Sequence, residues 1–506
     1  MSSDSFTVVN PVTVDSLITI DHRMDLFDKY LERSHMDKKQ YQYDGVKWCL
    51  NNELFGSGSP YNNVRGGFIA DEMGLGKTIM MIGTFVANYL PKTLIVLPPI
   101  LIDQWFIQIY RTTGHKALIY HGQNKKKITM DTINKAIIVI TSYGNITMTR
   151  TQLETSAGAR GGINKSLLYQ IHWSRIVFDE AHHLRNKNNC FKSAKLLQAD
   201  IRWLVSGTPI QNRKADFYNL CSILNLPASF YTDPDNLPLF ARLFILKRTK
   251  KQVGIQIPDV IFRNNIVDWS NQREMELSQE IHSALPFSNV SSSKGNTIAH
   301  MLSDQGMLVV LMRARQSCIL PKLLAPAISV LGKFDLGVYK DALKYSSKMD
   351  YVIHNILEKK GNGNGKIVFC HFREEIDEVK RRLLCGGITS IATFDGRVSN
   401  EKRHDILSDK KEVLILQIQT GCEGLNLQQH YSEIYFVSPH WNPAVEEQAI
   451  ARCHRIGQTK EVYVSRFEMS SFVKDSDQDI DTKTVDNYVH SVQNVKRKMV
   501  NEIIPA

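Results

Sequence analysis

Apolar residues in this chain gather in short unbroken runs, not in long amphipathic stripes. Residues 67–70, 93–97, 136–140, 175–178 and 203–205 each hold a few consecutive Val, Ile, Leu, Phe or Ala positions, followed by a polar or glycine-bearing turn. Runs of this length with no polar alternation predict strands buried on both faces, as in a parallel sheet covered by helices. A second series begins at 367–370 and continues through 388–393, 413–418, 434–437 and 462–467, with charged helical stretches such as 374–384 and 400–407 between the runs. The pattern therefore predicts an α/β protein of two parallel-sheet lobes. The stretch 213–365 reads as mostly helical, broken by a polar segment at 288–296 and closed by a Gly/Asn linker at 361–365, so an intervening helical insertion and a hinge are expected there. No fixed-period repeat is present.

The length of 506 residues leaves room for roughly three domain-sized units. Hydrophobic residues make up 43% and charged residues 22%, which excludes disordered, collagen-like and fibrous classes. Lys and Arg number 62 against 51 Asp and Glu, and the net charge of +11 favours a polyanionic partner. Asp4, Asp15, Asp21 and Asp25 interrupt the first thirty residues, so no secretory leader is expected. The longest apolar stretch, 94–102, contains Pro98 and Pro99 and is far shorter than the roughly 20 residues of a bilayer span, so no membrane association is expected. The eight cysteines form no C-x-x-C pair, which argues against a zinc module or disulfide framework. The expected setting is intracellular and reducing; nucleus, virion and viral replication site are not separated.

Three segments in the first half carry candidate chemistry. The loop Asp71, Glu72, Met73, Gly74, Leu75, Gly76, Lys77 and Thr78 follows an apolar run and opens an apolar helix. Its glycines would let backbone N–H groups approach phosphate oxygens, Lys77 would reach the β/γ-phosphates and Thr78 would ligate Mg²⁺. A Gly-Lys-Thr triplet alone is not distinctive. About a hundred residues on, Asp179 and Glu180 end another buried run, where paired carboxylates would be costly unless they faced a metal and a water. Asp179 would hold the Mg²⁺ shell and Glu180 would orient and deprotonate the attacking water; taken alone, the pair reads better as a solvated strand-end turn. Ser206 and Thr208, in the string LVSGTPIQN, are placed to sense the γ-phosphate side and to pass its state on through His182.

In the second half, residues 446–458 are compatible with a helix that puts Arg452 and Arg455 on one face, where they would reach an anionic phosphate. The plainer reading is a solvated basic helix face. Lys125, Lys126 and Lys127 read as a solvated loop, with phosphate contact as the alternative. The tryptophans at 105, 173, 203 and 441 read as packing residues rather than base-stacking platforms, and the acidic run 475–481 as a mobile insertion.

Taken together, DEMGLGKT, DEAHHLRN, SGTPIQN and HWNPAVEEQAIARCHRIGQ resemble the signature strings of the Swi/Snf-like family of superfamily 2 DNA translocases, DEAH-box ATPases, in the family's order and spacing. YQYDGVKW, LIVLPPILIDQW, TSY, LKRTK, MRARQSCILP and EGLNL support the resemblance, which runs from about residue 36 to 470, with an echo at 484–498. It implies two RecA-like lobes that hydrolyse ATP with Mg²⁺ in the cleft between them. It further implies Gln42 as an adenine contact, 71–78 as the phosphate loop, Thr78 and Asp179 as Mg²⁺ ligands, Lys77 and Glu180 as catalytic groups, and Arg452 with Arg455 as arginine fingers. The implied layout is an N-terminal extension at 1–35, lobe one at 36–225, helical protrusions and linker at 226–345, lobe two at 346–470 and a closing segment at 471–506. Gln417 and Ile418 stand where the family often has Ser-Thr, and Ala451 where Gly is frequent, which implies altered coupling between ATP and DNA.

The resemblance implies an ATP-dependent translocase on double-stranded DNA that displaces or remodels bound proteins, with transcription or chromatin-like proteins as partners and a compact form as in large DNA viruses. The alternatives are a transcription-associated ATPase that releases transcript or polymerase, a strand-separating helicase, and a non-catalytic clamp binding ATP as a structural ligand. The clamp reading predicts loss of Glu180 or an arginine finger, and these residues are present.

Overall fold

The computed structural model describes residues 14–56, 63–157, 166–208, 213–290, 306–330, 337–398, 405–406, 409–421, 425–472 and 482–503. The chain divides into two compact units, Met1–Gln256 with Met499–Ala506, and Ile257–Lys498.

In the first unit, β1 (Arg65–Ile69), β2 (Thr93–Leu97), β3 (Leu118–Tyr120), β4 (Ile138–Ser142), β5 (His172–Asp179), β6 (Gln198–Val205) and β7 (Ile245–Leu246) form one sheet of order β3-β4-β2-β5-β6-β1-β7. Every pairing is parallel. The unbroken apolar runs have a direct cause. Leu94 and Val96 of β2 face one core with Phe68, Phe178 and Leu204, whereas Ile95 and Leu97 face a second core with Ile69, Val177 and Val205. Both sheet faces are covered, so neither tolerates polar alternation.

In the second unit, β8 (Val260–Val267), β9 (Gly365–Cys370), β10 (Ile391–Phe394), β11 (Val413–Gln417), β12 (Tyr431–Phe436) and β13 (Val462–Met469) form a parallel sheet of order β10-β11-β9-β12-β13-β8. Here too Ile367 and Phe369 face one core and Val368 and Cys370 the other. The two parallel-sheet lobes expected from the sequence are thus present.

The helical insertion differs from expectation. Phe217, Leu220, Phe230, Phe240 and Phe244 belong to the first unit's core, β7 extends its sheet, and β8 forms an edge of the second sheet. β8 escapes a hydrophobic-run reading because, as an edge strand with β13 as its partner, it keeps Arg263 and Asn264 exposed and Asn265 half-buried. The N-terminal extension is also part of the first unit. Helix Val14–Arg33 contributes Ile20, Met24, Phe27, Tyr30 and Leu31 to the core that holds Val46, Leu50 and Ile82. Most of the helix expected at 400–407, the polar break from 291 onward and the acidic run at 475–481 lie outside the described residues. Among the described residues, no helix is long and apolar enough to cross a membrane.

Candidate nucleotide-binding site

The loop after β1 turns on two glycines in the left-handed region, Gly74 at φ 92° and Gly76 at φ 80°, and helix Lys77–Ala87 starts immediately after. A side chain at Gly76 would also collide with Gln42, whose Nε2 lies 2.4 Å from where a Cβ would sit. Buried Gln42, on helix Gln40–Phe55, donates to the Leu75 carbonyl at 3.1 Å and so rests directly against the loop. Lys77 Nζ donates to the Asp71 carbonyl at 2.9 Å and to that of Glu72 at 3.4 Å. The Ser206–Thr208 turn lies over the same loop, since a Cβ at Gly207 would be 3.3 Å from Lys77 Nζ and 3.0 Å from Met73 Cγ.

The side chains of Asp71 and Glu72 are directed elsewhere. The Asp71 carboxylate, fully buried, is gripped by Arg248 through Nε at 3.1 Å and Nη2 at 2.5 Å, and Arg248 also donates to the Tyr41 carbonyl. Glu72 pairs with Lys250 Nζ at 2.8 Å and accepts from the Lys250 N–H at 2.8 Å. Backbone bonds from Ala70 N to Leu246 O and from Glu72 N to Arg248 O complete the clamp. The string LKRTK is thus a brace for the loop, and it occupies the side chains of both Asp71 and Glu72.

Asp179 closes β5 and is held from three directions. Trp105 Nε1 donates to Oδ2 at 2.7 Å, the Glu180 N–H donates to Oδ1 at 3.0 Å, and the Tyr143 hydroxyl donates to the Asp179 main-chain carbonyl at 2.7 Å. Burial first, and the adjacent Glu180 carboxylate second, push Asp179 up to about 7 against these hydrogen bonds and the charge of Lys77. Glu180 adopts φ 49° and ψ 50°, a left-handed conformation that costs a non-glycine residue about 1–2 kcal/mol. That turn sends the carboxylate to His182, with Oε2 3.3 Å from Nδ1. His182 Nδ1 is in turn 3.4 Å from Ser206 Oγ, which accepts from Thr208 N at 3.3 Å. A chain of contacts thus runs from Thr208 and Ser206 through His182 to Glu180. Neither Trp105 nor Tyr143 was legible as a site residue, because each lies tens of positions from Asp179 and meets it only through the sheet.

In the second unit the helix expected to carry both arginines stops short. It spans Pro443–Ile450, and Arg452 and Arg455 lie in the turns that follow. Competing tertiary bonds end it: Leu427 N donates to Arg452 O at 3.0 Å, and buried Gln458 donates to the Cys453 and Tyr431 carbonyls at 3.2 Å each. Burial, and then the charge of Arg452, lower the Arg455 pKa. Arg455 also donates to Asn426 Oδ1. Of the tryptophans, Trp105, Trp173 and Trp203 are fully buried, and Trp441 packs under Arg315 at 5.7 Å.

Comparison with known proteins gives two family matches. A model described as the SNF2-related domain covers residues 41–235, and one described as the helicase conserved C-terminal domain covers 347–457. The chain is 27% identical over 493 residues to an uncharacterized ATP-dependent helicase of Mycoplasma genitalium, over 92% of this chain and 42% of that protein. It is 26% identical over 485 residues to a probable global transactivator of Orgyia pseudotsugata multicapsid polyhedrosis virus, over 92% of this chain and 91% of the viral one. It is also 26% identical over 485 residues to an ATP-dependent DNA helicase of Arabidopsis thaliana, over 86% of this chain and 59% of that protein. The chain therefore spans less than two thirds of the bacterial and plant relatives and nearly all of the viral one.

Proposed function

The chain belongs to the SNF2-related family of ATP-dependent helicase-type enzymes, and from that premise we propose that it is a translocase that moves along double-stranded DNA and displaces or remodels proteins bound there. The observation that carries this reading is the convergence of Gln42, Lys77, Ser206 and the Asp179–Glu180 pair at the C-terminal ends of β1, β5 and β6. A strand-end loop of backbone N–H groups with a lysine suits a triphosphate, and the family relation supplies ATP.

In this reading the backbone of residues 71–78 cradles the phosphates, Gln42 contacts adenine and Lys77 turns from the loop carbonyls to the β/γ-phosphates. The Asp179 carboxylate and the Thr78 hydroxyl form an all-oxygen donor set beside a phosphate loop, which fits Mg²⁺. Asp179 and Thr78 would hold the ion, whose chemistry there would be to offset negative charge developing on the phosphates. Glu180 takes a proton from the attacking water, and His182 and Ser206 hold that carboxylate in its strained turn. Arg452 and Arg455 stabilise charge on the γ-phosphate in the transition state.

The net charge of +11 supports a polyanionic track, and the plant relative is itself named a DNA helicase. A second reading, an ATPase that acts in transcription on polymerase or transcript, is supported by the viral relative named as a transactivator, which matches nearly end to end. Steady-state ATPase rates without nucleic acid and with duplex DNA, single-stranded DNA and RNA test the choice. The translocase reading expects duplex DNA to stimulate most; equal or greater stimulation by RNA would replace it with the second reading.

A further inference from the structure

Gly45 lies inside helix Gln40–Phe55, where the backbone is ordinary helix and a glycine weakens the element relative to alanine. The structure shows what the glycine makes room for. A Cβ at this position would lie 2.9 Å from Arg248 Nη2 and 2.6 Å from Met80 Sδ. The helix therefore gives up a side chain so that one guanidinium can lie against its backbone.

That guanidinium joins three pieces of the candidate site. Nε and Nη2 hold the buried Asp71 carboxylate of the loop at 3.1 Å and 2.5 Å, Nη1 donates to the Tyr41 carbonyl in the first turn of the helix, and Nη2 lies 3.4 Å from Met80 Sδ on helix Lys77–Ala87. The Arg248 guanidinium carbon also sits 5.8 Å from the centroid of the Tyr41 ring. The far end of helix Gln40–Phe55 is anchored separately, since buried Glu53 accepts from Arg175 Nε at 2.6 Å and from Trp203 Nε1 at 2.8 Å. Its start has no such anchor of its own. Lys39 at the N-cap supplies no side-chain capping bond, so the Arg248 contact and the Gln42 bond to the Leu75 carbonyl are what tie this turn to the loop.

Gln42 follows Tyr41 directly, and its position relative to the loop decides what it can recognise. With Nε2 given to the Leu75 carbonyl at 3.1 Å, the amide oxygen is the end left to meet a base. An amide oxygen accepts from the 6-amino group of adenine and opposes the 6-oxo group of guanine. Such discrimination depends on placement, because a shift of about 1 Å in a positioned group can cost on the order of 10²-fold.

We infer that Arg248 is a positioning residue for base selection: by tying Asp71 to the Tyr41 carbonyl it fixes Gln42 at a set distance from the phosphate loop, and so favours adenine over guanine nucleotides. The inference rests on the reading of Gln42 as the adenine contact and deepens it by naming what holds that contact in register.

The test uses the full chain with Mg²⁺ and no nucleic acid. Affinities for the β,γ-imido analogues of ATP and GTP are measured by titration calorimetry, beside a melting temperature for each variant. The wild type should prefer the adenine analogue, and Gln42→Ala should abolish the preference. Arg248→Lys keeps a positive charge opposite Asp71 but lacks the fork that also reaches Tyr41. Gly45→Ala removes no polar group and raises helix propensity, yet displaces the guanidinium. Each should reduce the preference roughly 10-fold, chiefly by weakening the adenine analogue. A preference retained in both variants, or both affinities falling in proportion as the melting temperature falls, overturns the inference and leaves Arg248 as a brace alone. A wild type with no preference, or a Gln42→Ala variant that keeps it, overturns the adenine reading itself and this inference with it, so the two failures are distinguishable.

Discussion

In the proposed reading Lys77 and Glu180 serve different halves of one reaction, and their substitutions separate those halves. Lys77→Ala removes the cation that neutralises phosphate oxygens, so both nucleotide affinity and turnover should fall. Glu180→Gln keeps the shape of the side chain and the strained turn at φ 49°, so it should bind ATP yet hydrolyse it at background rate. Nucleotide binding by filter assay beside steady-state ATPase reads both, and near-normal hydrolysis in Glu180→Gln would remove it as the base. For Arg452 or Arg455, substitution by Ala should lower kcat by roughly 10³-fold or more with little change in nucleotide affinity, as expected of a group engaged only in the transition state. A loss confined to ATP binding would show instead that the arginine is a ground-state ligand.

At the scale of elements, the polar contacts that join one helix to another set the pH range of stability. Fully buried His282, at the end of helix Gln272–His282, donates from Nδ1 to the Ser278 carbonyl at 2.7 Å. Its Nε2 accepts from Val485 N at 3.0 Å, at the start of helix Val485–Ile503. Burial is the main cause that lowers its pKa to about 4; the Ser278 bond and the Asp486 charge oppose it. Protonation would destroy the acceptor, so the unfolded chain, with an ordinary imidazole near 6.5, binds the proton more readily. The contribution is complete above about pH 6.5 and is lost as pH falls toward 4, amounting to about 2 kcal/mol at pH 5. Urea denaturation at pH 7.5 and pH 5 should show that loss in the wild type and a smaller one in His282→Gln; equal losses would mean that His282 is not the group responsible. Contacts of this kind explain what the sequence hid. The strand runs and phosphate-loop strings are local and were legible, because a doubly covered parallel sheet needs continuous apolar residues. The Arg248 clamp on Asp71 spans 177 positions and the Trp105 bond to Asp179 spans 74, and no spacing rule connects such residues. The helix that ends at Ile450 continues in the apolar pattern, but Leu427 and Gln458 take its backbone carbonyls, so tertiary bonding overrides local propensity.

For the whole molecule, the translocase reading separates movement from strand opening. A base-pair step holds on average about 1.4 kcal/mol of stacking, and opening a duplex needs a wedge at the junction. The chain should therefore displace the third strand of a triplex in an ATP-dependent way while leaving a tailed duplex intact. Efficient release from the tailed duplex would make it a strand-separating helicase, and failure in both assays would make it a stationary remodeller. The bond from Trp105 to Asp179 gives a way to watch such a cycle without a label. An indole whose N–H sits 2.7 Å from the carboxylate proposed as a metal ligand, in a fully buried setting, will change its emission when that carboxylate turns to a divalent ion. The difference in ultraviolet-excited fluorescence between the wild type and Trp105→Phe, recorded by stopped flow as nucleotide is mixed in, should isolate one of the six tryptophans as an intrinsic clock for loading and release at every turnover.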